Sequence, residues 1–92
     1  MRILVVEDEK EIADFLKSNL ESDCFAVDIA SDGEQGSFLA RTTPYDLIIL
    51  DCVLPKKDGS AVCREIRKEK KTPILMLSVL NQTDNKVTLL ND

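Results

Sequence analysis

The sequence predicts an α/β fold built on a parallel sheet, on three observations. First, three apolar runs, Ile3-Leu4-Val5-Val6, Leu47-Ile48-Ile49-Leu50 and Ile74-Leu75-Met76-Leu77, are bounded by polar or turn residues. Second, each run is too short for a helix and apolar enough to be covered on both faces, as inner strands of parallel sheets are. Third, residues of helical periodicity separate the runs, and strands alternating with helices pair in parallel through right-handed crossovers.

Taken in order, Ile3-Leu4-Val5-Val6 is the first strand. After Asp8, the residues Ile12, Phe15, Leu16 and Leu20 recur at helical spacing, and Glu9 and Glu11 suit the positive end of that helix. Ala26-Val27-Asp28-Ile29-Ala30 carries a charge among apolar residues and reads as an edge strand with one exposed face. Asp32 is placed to cap a second helix carrying Phe38 and Leu39 and ending before Pro44, with Gly33 and Gly36 weakening it. Leu47 to Leu50 form the third strand. Ala61, Val62 and Ile66 mark a third helix, whose end carries Arg67, Lys68, Lys70 and Lys71 as a solvated basic cluster. Ile74 to Leu77 form the fourth strand, and a weaker pattern over 84–90 suggests a fourth helix. The order is βαβαβαβα, without linker, repeat or low-complexity segment.

Composition removes several function classes. At 92 residues the chain suffices for one small domain with its own core. Lys and Arg number 12 against 17 Asp and Glu, a net charge of −5, which opposes a nucleic-acid-binding surface. No apolar run approaches the roughly 18–20 residues of a membrane span. The start is too short and too soon acidic for a signal peptide. Cys24, Cys52 and Cys63 are odd in number, scattered and without a CxxC, as expected for reduced thiols in a cytoplasmic protein. The chain has no His, which excludes Ser-His and Cys-His catalysis and a phosphohistidine of its own. GxGxxG, GxxxxGK[ST] and GxSxG motifs are absent, which disfavours dinucleotide binding, P-loop chemistry and a serine nucleophile elbow.

The polar residues at the strand ends carry the chemistry. Glu7 and Asp8 come directly after the first strand, Asp51 after the third and Ser78 after the fourth. Strand ends of a parallel sheet share one rim, and open α/β sheets bind ligands there where strand order reverses. If the first and third strands are neighbours, Glu7, Asp8 and Asp51 meet at that point. Crowded carboxylates repel and need a counter-charge, and oxygen-only ligands suit Mg²⁺. A carboxylate beside such an ion can attack a phosphoryl group to give an aspartyl phosphate. The plainer reading makes Asp8 a helix cap and Ser78 a turn residue. Asp51 is harder to dismiss, because it ends an apolar run and is costly there unless paired.

The residues Ile3-Leu4-Val5-Val6-Glu7-Asp8-Glu9, Tyr45-Asp46-Leu47-Ile48-Ile49-Leu50-Asp51, Leu54-Pro55 with Asp58-Gly59, and Pro73-Ile74-Leu75-Met76-Leu77-Ser78 together resemble the receiver domain of bacterial response regulators. The likeness covers the whole chain and is nearest to the subgroup joined to a winged-helix DNA-binding domain. It implies a flavodoxin-like sheet of order 2-1-3-4, with the fifth βα unit missing, so that 1–92 is an incomplete receiver domain. It further implies Asp51 as phosphoacceptor, and Glu7, Asp8, Asp51 and the Val53 carbonyl as protein ligands to Mg²⁺. Ser78 would bind a phosphoryl oxygen, and Pro55 and Gly59 would shape the loop after Asp51.

A partner histidine kinase would donate the phosphoryl group, and DNA would be reached only through an output domain outside this chain. The domain would be a signalling phosphoacceptor and not a conventional enzyme. The family's Lys after a fifth strand has no counterpart before Asp92, and Val79 is bulkier than the small residue usual after the Ser. The rival expectation is a non-switching dimerisation module of the same fold. A fourth strand left as an apolar edge predicts self-association.

Overall fold

The structure, a computed structural model, describes residues 1–77. The chain runs β1 (Arg2–Val6), α1 (Lys10–Ser22), β2 (Ala26–Ala30), α2 (Gly33–Thr42), β3 (Leu47–Asp51), α3 (Gly59–Arg67) and β4 (Ile74–Leu77). The four strands are all parallel, in the order β2-β1-β3-β4. Ser78, Val79 and the helix expected over 84–90 lie outside the described residues.

Alternation along the strands splits the core in two, because successive side chains of a strand point to opposite faces. Leu4, Val6, Ile48, Leu50, Ile74 and Met76 pack with Val62, Cys63 and Ile66 of α3 and Ala40 of α2. Ile3, Val5, Val27 and Ile49 form the other face, covered by Leu16 and Leu20 of α1. Both faces of β1 are therefore sealed, which is why it reads as an unbroken apolar run.

The helices seat on faces that periodicity alone did not select. In α1 the stripe Ala13, Leu16, Leu20 faces the sheet, while Ile12 and Phe15, one residue earlier around the helix, are exposed. In α2 the buried face is small: Gly33, Gly36, Ser37 and Ala40, with Phe38 exposed. A Cβ on Gly36 would lie 2.6 Å from a Val6 methyl, so the missing side chain allows α2 to approach β1 closely. The cap expected from Asp32 is present, its carboxylate accepting from the Gln35 N–H at 2.8 Å.

β2 is an edge of the described sheet, and its charge is accounted for locally. Asp28 accepts from the Tyr45 hydroxyl at 2.7 Å and pairs with Arg2 at 2.9 Å. These bonds, the tyrosine's first, hold its carboxyl below the usual range, while burial pushes the Tyr45 phenol up to about 12.

Candidate functional site

The register of the sheet creates the site. β1 and β3 are adjacent, with Val6 opposite Leu50, so the next residues along the two strands, Glu7 and Asp51, emerge side by side at the C-terminal rim. Strand order reverses on either side of β1, which makes this rim the switch point of the sheet. One carboxylate oxygen from each of Glu7, Asp8 and Asp51 lies within 4.8 Å of the others. The three acids expected to converge therefore do so. Val53 lies on the β3–α3 connection, 78% exposed as a residue, with its N–H 3.5 Å from Asp51 Oδ1.

Glu7 is 4% exposed, Asp51 half-buried and Asp8 exposed. Burial pushes the Glu7 carboxyl from its ordinary 4.5 to about 7, with the Asp51 and Asp8 charges adding to the rise. Asp51 is also raised, again chiefly by burial. Three acids at one rim, one of them buried, carry an electrostatic cost that a cation there would offset. Glu7 has a second task that the sequence did not reveal: its carboxylate accepts the Glu9 N–H at 2.9 Å. Helix α1 starts at Lys10 with Glu9 at the cap position and no side-chain cap of its own, so Asp8 is not the cap its position suggested.

The loop that follows Asp51 is held by backbone contacts at glycines. The Gly59 N–H donates to the Cys52 carbonyl at 3.1 Å, and the Gly33 N–H donates to the Pro55 carbonyl at 3.1 Å. A Cβ on Gly59 would collide with the Asp51 carbonyl, and one on Gly33 with the Lys57 carbonyl. Lys57 in turn bonds Glu65 of α3 at 2.6 Å, and Glu65 accepts from the buried Ser37 hydroxyl at 2.6 Å. This α2–loop–α3 link escaped the sequence, since no helical or strand spacing connects residues 37, 57 and 65.

A model of the response regulator receiver domain matches residues 3–92. The chain belongs to the response regulator receiver domain family. Response regulator ArlR of Staphylococcus haemolyticus is 44% identical over 89 residues, 97% of this chain and 41% of the relative. Transcriptional regulatory protein ResD of Bacillus subtilis is 42% identical over 86 residues, 94% of this chain and 36% of that protein. This receiver domain thus spans well under half the length of these relatives. Among solved structures, the receiver domain of sensor histidine kinase PA1611 from Pseudomonas aeruginosa has a magnesium ion in its active site cleft. It superposes with a TM-score of 0.83 at 32% identity, over 91% of this chain and 71% of that one. The flavodoxin-like order expected from the resemblance, 2-1-3-4, is the order found. Among the described residues, no helix of the receiver domain is long and apolar enough to cross a membrane.

The acidic cluster fits a hard divalent cation. Its donors are all oxygen, and they converge within reach of one ion.

Proposed function

We propose that this receiver domain is a Mg²⁺-dependent phosphoacceptor in two-component signalling, with Asp51 as the residue modified. The observation that carries the reading is the meeting of Glu7, Asp8 and Asp51 at the switch point of the sheet. Glu7, Asp8, Asp51 and the Val53 backbone carbonyl would hold Mg²⁺. The ion would supply positive charge against the repulsion between Asp51 and an anionic phosphoryl donor. An Asp51 carboxylate oxygen bonds to phosphorus as the bond from phosphorus to its leaving group breaks. Ser78 would bind a phosphoryl oxygen.

The donor is a phosphohistidine on a partner histidine kinase, since this chain has no histidine. The setting is the cytoplasm, and the output is a DNA-binding domain outside 1–92; one relative carries the name of a transcriptional regulatory protein. Catalysis is limited to the domain's own phosphorylation and dephosphorylation. A non-switching dimerisation module is the weaker reading, because it gives no reason to bury Glu7 beside two further carboxylates. Self-association through β4, an edge among the described strands, belongs to the same proposal. Light scattering that gives a monodisperse monomer across micromolar concentrations would overturn that part.

The phosphorylation test is incubation with Mg²⁺ and a small acyl phosphate, with intact mass as the readout. A gain of one phosphoryl group that Asp51→Asn abolishes is expected. A folded sample that gains none would overturn the reading.

A further inference from the structure

The connection between β3 and α3 brings two cysteines to one cavity, a feature the acidic site does not use. The Gly59 N–H donates to the Cys52 carbonyl at 3.1 Å, and a Cβ on Gly59 would fall 2.8 Å from Cys52 Cα. Only a residue without a side chain lets the first turn of α3 sit on residue 52. Cys63 lies four residues after Gly59, one helical turn later on the same buried face. Cys52 is half-buried and packs against the buried cluster that contains Cys63. Both residues, with Val53, Arg64 and Met76, line a cavity of about 490 Å³. Cys24 is exposed at the α1–β2 turn and takes no part in it.

We propose that Cys52 and Cys63 are a thiol modification site, joined as a disulfide when the folded protein meets a hydroperoxide. Cys52 is the attacking sulfur, because Cys63 is only 5% exposed. The Cys52 thiolate forms a bond to one peroxide oxygen, the O–O bond breaks, and water leaves to give a sulfenic acid. The Cys63 sulfur then bonds to the Cys52 sulfur, and its proton leaves with the hydroxyl as a second water. Two thiols lose two electrons and two protons, and one hydrogen peroxide becomes two waters. The closed ring spans 52–63 and so includes Val53 and the entry to α3. The disulfide depends on packing around Gly59 and not on whether Asp51 accepts a phosphoryl group.

The test uses the whole chain with Cys24→Ser, which removes the exposed thiol. The folded protein is treated with one equivalent of hydrogen peroxide, then unfolded, alkylated and analysed by intact mass and tryptic mapping. The expected product has lost two hydrogens, retains no added oxygen, and joins peptide 42–56 to peptide 58–64. In a second variant, Cys52→Ser on the same background, the buried Cys63 is expected to stay alkylatable. Oxygen retained on Cys52 with Cys63 still alkylatable, or Cys63 oxidised as fast without Cys52 as with it, would overturn the proposal.

Discussion

Glu7 shows how one side chain couples stability to charge at the rim. It is almost fully buried, and its carboxyl is raised from 4.5 to about 7, chiefly by burial. Between those values the folded protein keeps a proton that the unfolded chain has released. Stability therefore falls as pH rises through that window, the reverse of the usual salt-bridged carboxylate. Asp51, raised for the same cause, adds in the same direction. In the absence of divalent cations, urea unfolding is expected to show a loss of about 1–3 kcal/mol between pH 5 and pH 8. Glu7→Gln should flatten the profile, because an amide has no charge to bury. A wild-type stability that stays flat or rises over this range would show that the Glu7 carboxyl is not raised in the folded state. The sequence allowed the acid to be singled out by its place after a strand. It carried no sign that Glu7 rather than Asp8 would be the buried one, because that depends on which residue continues the pleat of β1 and accepts the Glu9 N–H.

At the scale of elements, the glycines carry more than their composition suggests. Gly33 and Gly36 read in the sequence as weaknesses of α2. In the structure Gly33 meets the Lys57 carbonyl and Gly36 meets Val6, so each marks a close approach that a side chain would block. Gly59→Ala places a methyl against the Asp51 carbonyl and the Cys52 backbone, neither of which can move as a side-chain tip does. We expect it to cost about 1–3 kcal/mol in urea unfolding. It should also weaken Mg²⁺ binding in an NMR titration, because the displaced carbonyl belongs to the residue that carries the candidate ligand. Gly33→Ala should cost a similar amount while acting farther from Asp51, so its effect on the titration should be smaller. Equal titrations for both would mean that the loop does not transmit the strain. The strand boundaries were legible to within a residue because runs sealed on both faces leave little choice of register. The helix faces were less so: the exposed Phe15 and Phe38 attracted the apolar stripe, whereas α2 buries small residues and α1 uses Ala13.

For the whole molecule, the sequence carried the layering because alternation of strands and helices favours a parallel sheet, whose rim then collects the residues at the C-terminal end of every strand. The adjacency of β1 and β3, which joins Glu7 and Asp51, came from family resemblance and was not forced by periodicity. That adjacency also makes the site a load on the fold, since three carboxylates on neighbouring elements oppose its closure. A ligand that binds only the assembled rim must stabilise the folded state by mass action. At tenfold excess over its dissociation constant, Mg²⁺ should add about 1.4 kcal/mol. The gain should be larger at pH 8 than at pH 5, because a protonated Glu7 competes with the cation below about 7. Thermal unfolding at both pH values, with and without Mg²⁺ at constant ionic strength, separates this linkage from general screening. Asp51→Asn should lose most of the increment while retaining the fold, as the amide fills the same space without the charge. An equal shift from Mg²⁺ in wild type and Asp51→Asn would place the cation elsewhere on this acidic surface and remove the electrostatic basis for phosphorylation at the rim.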